Sequence, residues 1–276
     1  LIFWRGQWVL VDQQDMDTLR PIFENKTSES DMQLSGTIST SDALKLGMIG
    51  AVQLQGDGTK FEVAVEGDFQ WVLNQLQDID SFEKIPIPSS FSGTLRPYQE
   101  KALMWLGNMA QLHFGVCLAD DMGLGKTVEI ISFLTHRKER YPNDGSILII
   151  CPTSVLFNWA RELTKFSPSL DVFINHGANR FKDDEVLQEF TKPHRIILTT
   201  YGTIRNDIEL LEPIVFTGVI VDESQNIKNY KTQQTQAIYR LKSQYRVCMS
   251  GTPIENRLLE LRSEEHTSEL QSRQVI

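Results

Sequence analysis

The sequence predicts an α/β chain, most of it a parallel sheet with helices on both faces, preceded by a small α+β region. Three observations predict this. From Leu95 onward, apolar strand-like runs alternate several times with segments of helical period, as strand–crossover–strand units do. One junction, Leu118 to Thr127 (LADDMGLGKT), sets a glycine-containing loop between an apolar run and an amphipathic segment. Another, GVIVD at 218–222, ends an apolar strand on the adjacent carboxylates Asp222 and Glu223. Ligands of such sheets bind at the carboxyl ends of strands, where both junctions fall.

Taken in order, residues 1–84 form the α+β region. WRGQWVLVD (4–12) and TKFEVAVEG (59–67) alternate like strands, and DMDTLRPIFEN (15–25) has helical spacing. Ser41 and Asp42 are suited to cap the helix of SDALKL. No chemistry-bearing constellation occurs there. IPIPSSFSGT (85–94), rich in Pro and Ser, reads as a linker. The lobe at 95–261 then has strands expected at 115–120, 147–152, 171–176, 195–200, 215–222 and 245–250. Helices are expected at 97–112, 127–139, 154–166, 183–190, 201–211 and 232–242.

Composition narrows the class. Hydrophobic residues at 41% and charged residues at 23% suit a folded globular chain rather than a disordered one. No apolar run reaches the ~18 residues of a membrane span. A net charge of −9 argues against a surface coated for nucleic acid but leaves room for a local basic groove. Cys117, Cys151 and Cys248 are far apart and pair with no histidine at metal-ligand spacing, which points to a reduced, cytoplasmic interior. The basic run HRKER (136–140) reads as a solvated helix end, and Trp159 as a core anchor. The chain opens on Leu1, which suggests a fragment. Residues 262–272, RSEEHTSELQS, match the in-frame translation of a widely used sequencing-library adapter. The tail at 262–276 is therefore expected to be non-native and is set aside.

LADDMGLGKT has the order a phosphate-binding loop needs. Backbone N–H groups and the positive end of the following helix would surround phosphate oxygens. Lys126 would reach the β- and γ-phosphates, and the Thr127 hydroxyl would ligate Mg²⁺. The general pattern has a glycine five residues before Gly125, where this chain has Asp120, so the loop is a variant with Gly123 supplying flexibility. Asp222 fits a metal-holding acid and Glu223 a residue that positions and polarises the attacking water. General-base help of that kind is worth roughly 10²–10⁴ in rate.

LRPYQ (95–99), LADDMGLGKT (118–127), ICPTSVLFNW (150–159), LTTYGTIRND (198–207), VDESQNIKN (221–229) and MSGTPIENRLLEL (249–261) occur in that order. Together they resemble the N-terminal, RecA-like ATPase lobe of Swi/Snf-type ATPases, a branch of the superfamily-two helicase-like motors. Residues 1–92 are more loosely similar to the helicase-associated region that precedes this lobe in bacterial members. The resemblance implies roles residue by residue. Gln99 would read adenine, and Asp121, Met122, Gly123, Leu124, Gly125, Lys126 and Thr127 would enclose the phosphates of ATP. Asp222 and Thr127 would hold the metal, while Ser250 and Thr252 would couple the nucleotide site to bound DNA. Pro152, Thr153, Ser154 and Asn158, with Thr200, Tyr201 and Gly202, would contact the DNA backbone. Ser224 stands where the family usually has alanine.

The expected activity is ATP hydrolysis coupled to translocation on double-stranded DNA, remodelling or displacing DNA-bound proteins on the bacterial nucleoid. A strand-separating DNA or RNA helicase and a nucleotide-gated scaffold are the alternatives. In these motors a second lobe supplies an arginine finger worth about 10³–10⁵ in turnover. No residue here matches it, so this chain alone is expected to be poorly active.

Overall fold

The structure is a computed structural model. It describes residues 82–180 and 192–251 (Asn179 by its backbone alone), with the backbone of four short strands nearer the N-terminus. The chain separates into two compact units, 1–77 and 78–276.

In the first unit β1 (Ile2–Trp4) pairs antiparallel with β2 (Gln7–Val9), Phe3 opposite Trp8. The expected single strand at 4–12 is thus interrupted. β3 (Ala51–Gln53) pairs antiparallel with β4 (Lys60–Glu62). The helices expected at 15–25 and after Ser41 lie outside the described residues, as do the helix at 183–190, Thr252 and the tail at 262–276.

The second unit holds the parallel sheet. Its strands are β5 (Val116–Leu118), β6 (Ile147–Cys151), β7 (Asp171–Asn175), β8 (Arg195–Thr200), β9 (Val215–Val221) and β10 (Lys242–Met249). They lie in the order β5-β10-β9-β6-β8-β7, every pairing parallel. The helices are α1 (Pro97–Gln111), α2 (Lys126–Arg140), α3 (Leu156–Phe166), α4 (Tyr201–Leu211) and α5 (Gln233–Arg240). β6 is buried at all five positions, as a central strand covered on both faces must be. A core of Leu148, Ile150, Phe216, Val219, Val221, Ile204 and Ile238 ties β6 and β9 to α4 and α5. Gly218 is required where it stands, since a Cβ there would lie 2.4 Å from the Tyr245 ring of β10.

Three local readings change. β10 begins at Lys242 because Lys242 and Ser243 pair with Val215 and Phe216; their polarity hides the strand. The preceding helix accordingly stops at Arg240. The run at 136–140 is not simply solvated. Arg137 is buried, holds Asp144 through Nε and Nη2, and lies 4.0 Å from the centre of the Tyr141 ring. The turn after α2 brings that carboxylate and ring over the helix end, so the guanidinium is paired when it leaves water.

Residues 82–95 have no regular structure, yet they are held. The N–H and hydroxyl groups of Ser89 and Ser90 all donate to the Glu139 carboxylate. Phe91 stacks on Phe166 at 5.9 Å between ring centres. The end of the Ile85 side chain sits where a Cβ on residue 107 would fall, at 2.1 Å, so it packs directly on the bare backbone of Gly107.

Candidate functional site

The strand order brings the carboxyl ends of β5, β10, β9, β6 and β8 side by side. Two backbone bonds pin that edge: Ser250 N–H to the Leu118 carbonyl (3.1 Å) and Asp222 N–H to the Ile150 carbonyl (2.8 Å). The chemistry-bearing loops 119–125, 250–251, 222–227, 152–155 and the start of α4 therefore share one face of the sheet edge.

The loop after β5 turns through two left-handed glycines, Gly123 at φ +84° and Gly125 at φ +90°, and the second begins α2. Lys126 folds back into its own loop, its Nζ donating to the carbonyls of Asp120 (2.6 Å) and Asp121 (3.1 Å). Asp121, Met122, Gly123 and Leu124 are exposed, and Thr127 is half-buried in the first turn. Gln99 lies buried against this loop. Its Oε1 accepts from the Arg96 N–H (3.0 Å) and its Nε2 donates to the Leu124 carbonyl (3.1 Å). Each amide atom keeps capacity for one more bond. Tyr98 Oη donates to the same carbonyl at 2.7 Å, a contact nothing in the sequence flagged. A Cβ at Gly125 would meet Gln99 Nε2 at 2.7 Å, so glycine here permits the close approach as well as the turn.

At the end of β9, Asp222 Oδ2 accepts from the Trp159 indole N–H at 2.8 Å. Burial raises the Asp222 pKa. The indole bond opposes this, the Glu223 charge adds to it, and Lys126 lowers it again. Glu223 adopts φ +55°, a conformation that costs a non-glycine residue about 1–3 kcal/mol and persists only when over-determined. Its neighbours do so. Tyr201 Oη donates to the carbonyls of Asp222 (2.5 Å) and Glu223 (3.1 Å), and Gln225 Nε2 donates to Glu223 Oε2 (2.5 Å). Ser250 Oγ donates to Gln225 Oε1 at 3.2 Å, making a chain Ser250–Gln225–Glu223 from β10 to the acid.

A divalent cation suits this donor set. Among the described residues no three His, Cys, Asp or Glu side chains cluster as metal ligands. A half-buried carboxylate whose pKa desolvation raises, with the Thr127 hydroxyl, offers the hard oxygens Mg²⁺ takes when phosphates complete its shell. Behind the loop, Glu129 on α2 is fully buried and neither carboxylate oxygen has a hydrogen-bond partner. Burial, then the Asp120 charge, push its pKa up to about 7. Only its place three residues after Lys126 could have hinted at this, since a glutamate on α2 otherwise reads as surface.

The expected backbone-contact residues divide. Thr153, Ser154 and Asn158 are exposed and Pro152 half-buried at the start of α3, and Gly202 is exposed on α4. Thr200 and Tyr201 are buried instead. The Thr200 hydroxyl caps α4 by accepting from the Thr203 N–H, and that of Tyr201 serves the acid loop. Their hydroxyls are thus taken up inside the lobe, and what the start of α4 leaves exposed is Gly202. Ser250 is likewise buried.

The family profile described as SNF2-related domain matches residues 98–263. The chain belongs to the SNF2-related domain family. Among its relatives, the candidate ATP-dependent helicase/translocase YwqA of Bacillus subtilis is 36% identical over 272 residues, covering 95% of this chain and 28% of that protein. Helicase SWR1 of Candida albicans is 30% identical over 255 residues, 92% of this chain and 15% of its own length. The SWI2/SNF2 ATPase core of Sulfolobus solfataricus in complex with dsDNA matches with a TM-score of 0.61 and 37% identity, over 68% of this chain and 38% of that one. This SNF2-related chain thus spans well under two thirds of the proteins it matches. The likeness to the ATPase core agrees with the six-stranded parallel sheet and its helices.

Proposed function

We propose that this chain is the nucleotide-binding lobe of a motor that hydrolyses ATP to move along double-stranded DNA and shift bound proteins. The observation that carries the reading is the placement of the Gly123–Thr127 loop and the Asp222–Glu223 pair on one sheet edge, bridged by β10. In this reading Lys126 exchanges the Asp120 and Asp121 carbonyls for phosphate oxygens, and Gln99 spends its remaining donor and acceptor on adenine. Glu223 takes the proton of the attacking water, held in place by Gln225 and Tyr201. Mg²⁺, when bound at Asp222 and Thr127, would supply charge neutralisation on the phosphates. A second lobe, contributed by further sequence, would complete the site with an arginine. Pro152, Thr153, Ser154, Asn158 and Gly202 would meet the DNA backbone, and motif residue Thr252 would join Ser250 in coupling. Residues 1–84 would be a separate helicase-associated region, and the protein would work in the cytoplasm on the nucleoid.

The chain itself is tested by equilibrium binding of a fluorescent ATP analogue with Mg²⁺. Wild type should bind and Lys126→Ala should not; equal binding refutes the phosphate role. The motor is tested on the longer protein by ATP turnover with and without duplex DNA. Stimulation by duplex supports it, with affinity falling by a log–log salt slope of about −0.9 per phosphate contacted. Stimulation by single strands or RNA alone would refute duplex translocation in favour of strand separation.

A further inference from the structure

Trp159 is among the largest fully buried side chains, and packing alone accounts for its rings. Packing does not account for its one polar atom. The indole N–H, in the first turn of α3, reaches across to the end of β9 and donates to Asp222 Oδ2 at 2.8 Å. β6, which feeds α3, is the hydrogen-bonded neighbour of β9, and the Asp222 N–H closes on its Ile150 carbonyl. The acid is therefore gripped by backbone on one side and by a single rigid donor on the other. Indole offers one donor and no acceptor, so it can serve only the unprotonated oxygen of a carboxyl group. A phenylalanine would fill most of the same space without that bond.

We propose that Trp159 is a positioning residue for the divalent cation of the nucleotide site. Its N–H fixes the rotation of the Asp222 carboxylate, so that the cation meets one preset orientation instead of a freely turning group. This rests on the nucleotide-site reading above. Outer donors to ligating carboxylates are worth about 10- to 100-fold in metal affinity. α3 also carries the exposed Thr153–Ser154 turn and Asn158 at its start, so a shift there would reach the acid through one side chain.

The test is Trp159→Phe in the full chain. Binding of a fluorescent ATP analogue is titrated with Mg²⁺, and separately measured in EDTA. Expected is a Mg²⁺ midpoint about 10-fold higher or more in the variant, with metal-free affinity unchanged. A folded variant with its Mg²⁺ midpoint within twofold of wild type overturns the proposal and leaves Trp159 as a core anchor. The indole ¹⁵N–¹H resonances of wild type and Asp222→Asn give a second readout that does not need Trp159→Phe to fold. The Trp159 resonance should shift on Asp222→Asn, and Mg²⁺ should move it in wild type only. An indole resonance blind to both changes overturns the proposal. Absence of nucleotide binding in wild type defeats the proposed function instead, and the response of the resonance to Mg²⁺ alone then decides the positioning role.

Discussion

Glu129→Gln should make the lobe more stable above neutral pH and leave it nearly unchanged in mild acid. Glu129 is fully buried without a hydrogen-bond partner, and its carboxyl group is held up to about 7 from an ordinary 4.5, by burial first and the Asp120 charge second. The folded state therefore keeps a proton that the unfolded state releases at lower pH. Stability is full below the unfolded value, falls as pH climbs from about 4.5 to about 7, and is then flat. At about 1.4 kcal/mol for each tenfold change, that interval is worth about 3 kcal/mol. A glutamine keeps the shape and carries no charge at any pH, so it escapes the loss. Urea unfolding at pH 5 and pH 8, in EDTA without nucleotide, measures it. With a denaturant slope of about 3 kcal/mol per molar, the variant midpoint at pH 8 should exceed wild type by about 1 M, and the two should nearly coincide at pH 5. Asp207 and Asp222, also raised by burial, tilt both curves alike and cancel in the difference. Parallel pH profiles for wild type and variant would refute the account of a strained, uncompensated carboxyl group.

Three further outcomes follow from two close approaches and one unpartnered hydroxyl. In Gly251→Ala the new Cβ would lie 2.6 Å from Met122 Cγ, so Met122 must shift within the 119–125 loop; it is 75% exposed and can swing out, so stability should fall by less than about 1 kcal/mol while analogue affinity drops several-fold if that loop holds the nucleotide. Met122→Ala in the same chain should restore that affinity, and a double variant no better than Gly251→Ala would show that the contact is immaterial. Tyr245→Phe removes a buried hydroxyl without a partner and should raise stability by about 1 kcal/mol, or about 2–4 °C in Tm. Gly218→Ala, against the same ring, should lower it by about 3 kcal/mol; calorimetry of both variants checks the pair of opposite signs.

The sheet was legible because its central strands are continuous apolar runs. ILIIC and VFTGVIV read as strands covered by helices on both faces; the second runs into Asp222 and Glu223, while the glycine loop follows the shorter edge strand VCL. β10 was legible only in its second half, since Lys242, Ser243 and Gln244 give no periodic signal and the strand's start is set by the pairing of Lys242 and Ser243 with β9. The site was legible where chemistry is local in sequence, as in Gly123 to Thr127. It was hidden where a bond joins distant elements. Nothing in NW at 158–159 announces a donor to Asp222, and Tyr201 reads as a contact residue from its motif while its hydroxyl turns inward. Glu139 was hidden in the same way, because Ser89 and Ser90 read as linker composition until the carboxylate that gathers them is seen.

Those long-range bonds share a pattern. Asp222 is held by Trp159 of α3, the Asp222–Glu223 backbone by Tyr201 of α4, and the Glu223 side chain by Gln225, which is in turn held by Ser250 after β10. Two of these holders, Trp159 and Tyr201, sit near the starts of α3 and α4, beside the exposed Thr153, Ser154, Asn158 and Gly202. The strain at Glu223, about 1–3 kcal/mol, is comparable to the net worth of the two or three hydrogen bonds that oppose its release. An acid in that balance need not be reached through a long pathway. A displacement of α3 or α4 at their outer ends would act on Asp222 and on the Asp222–Glu223 backbone through single side chains, Trp159 and Tyr201.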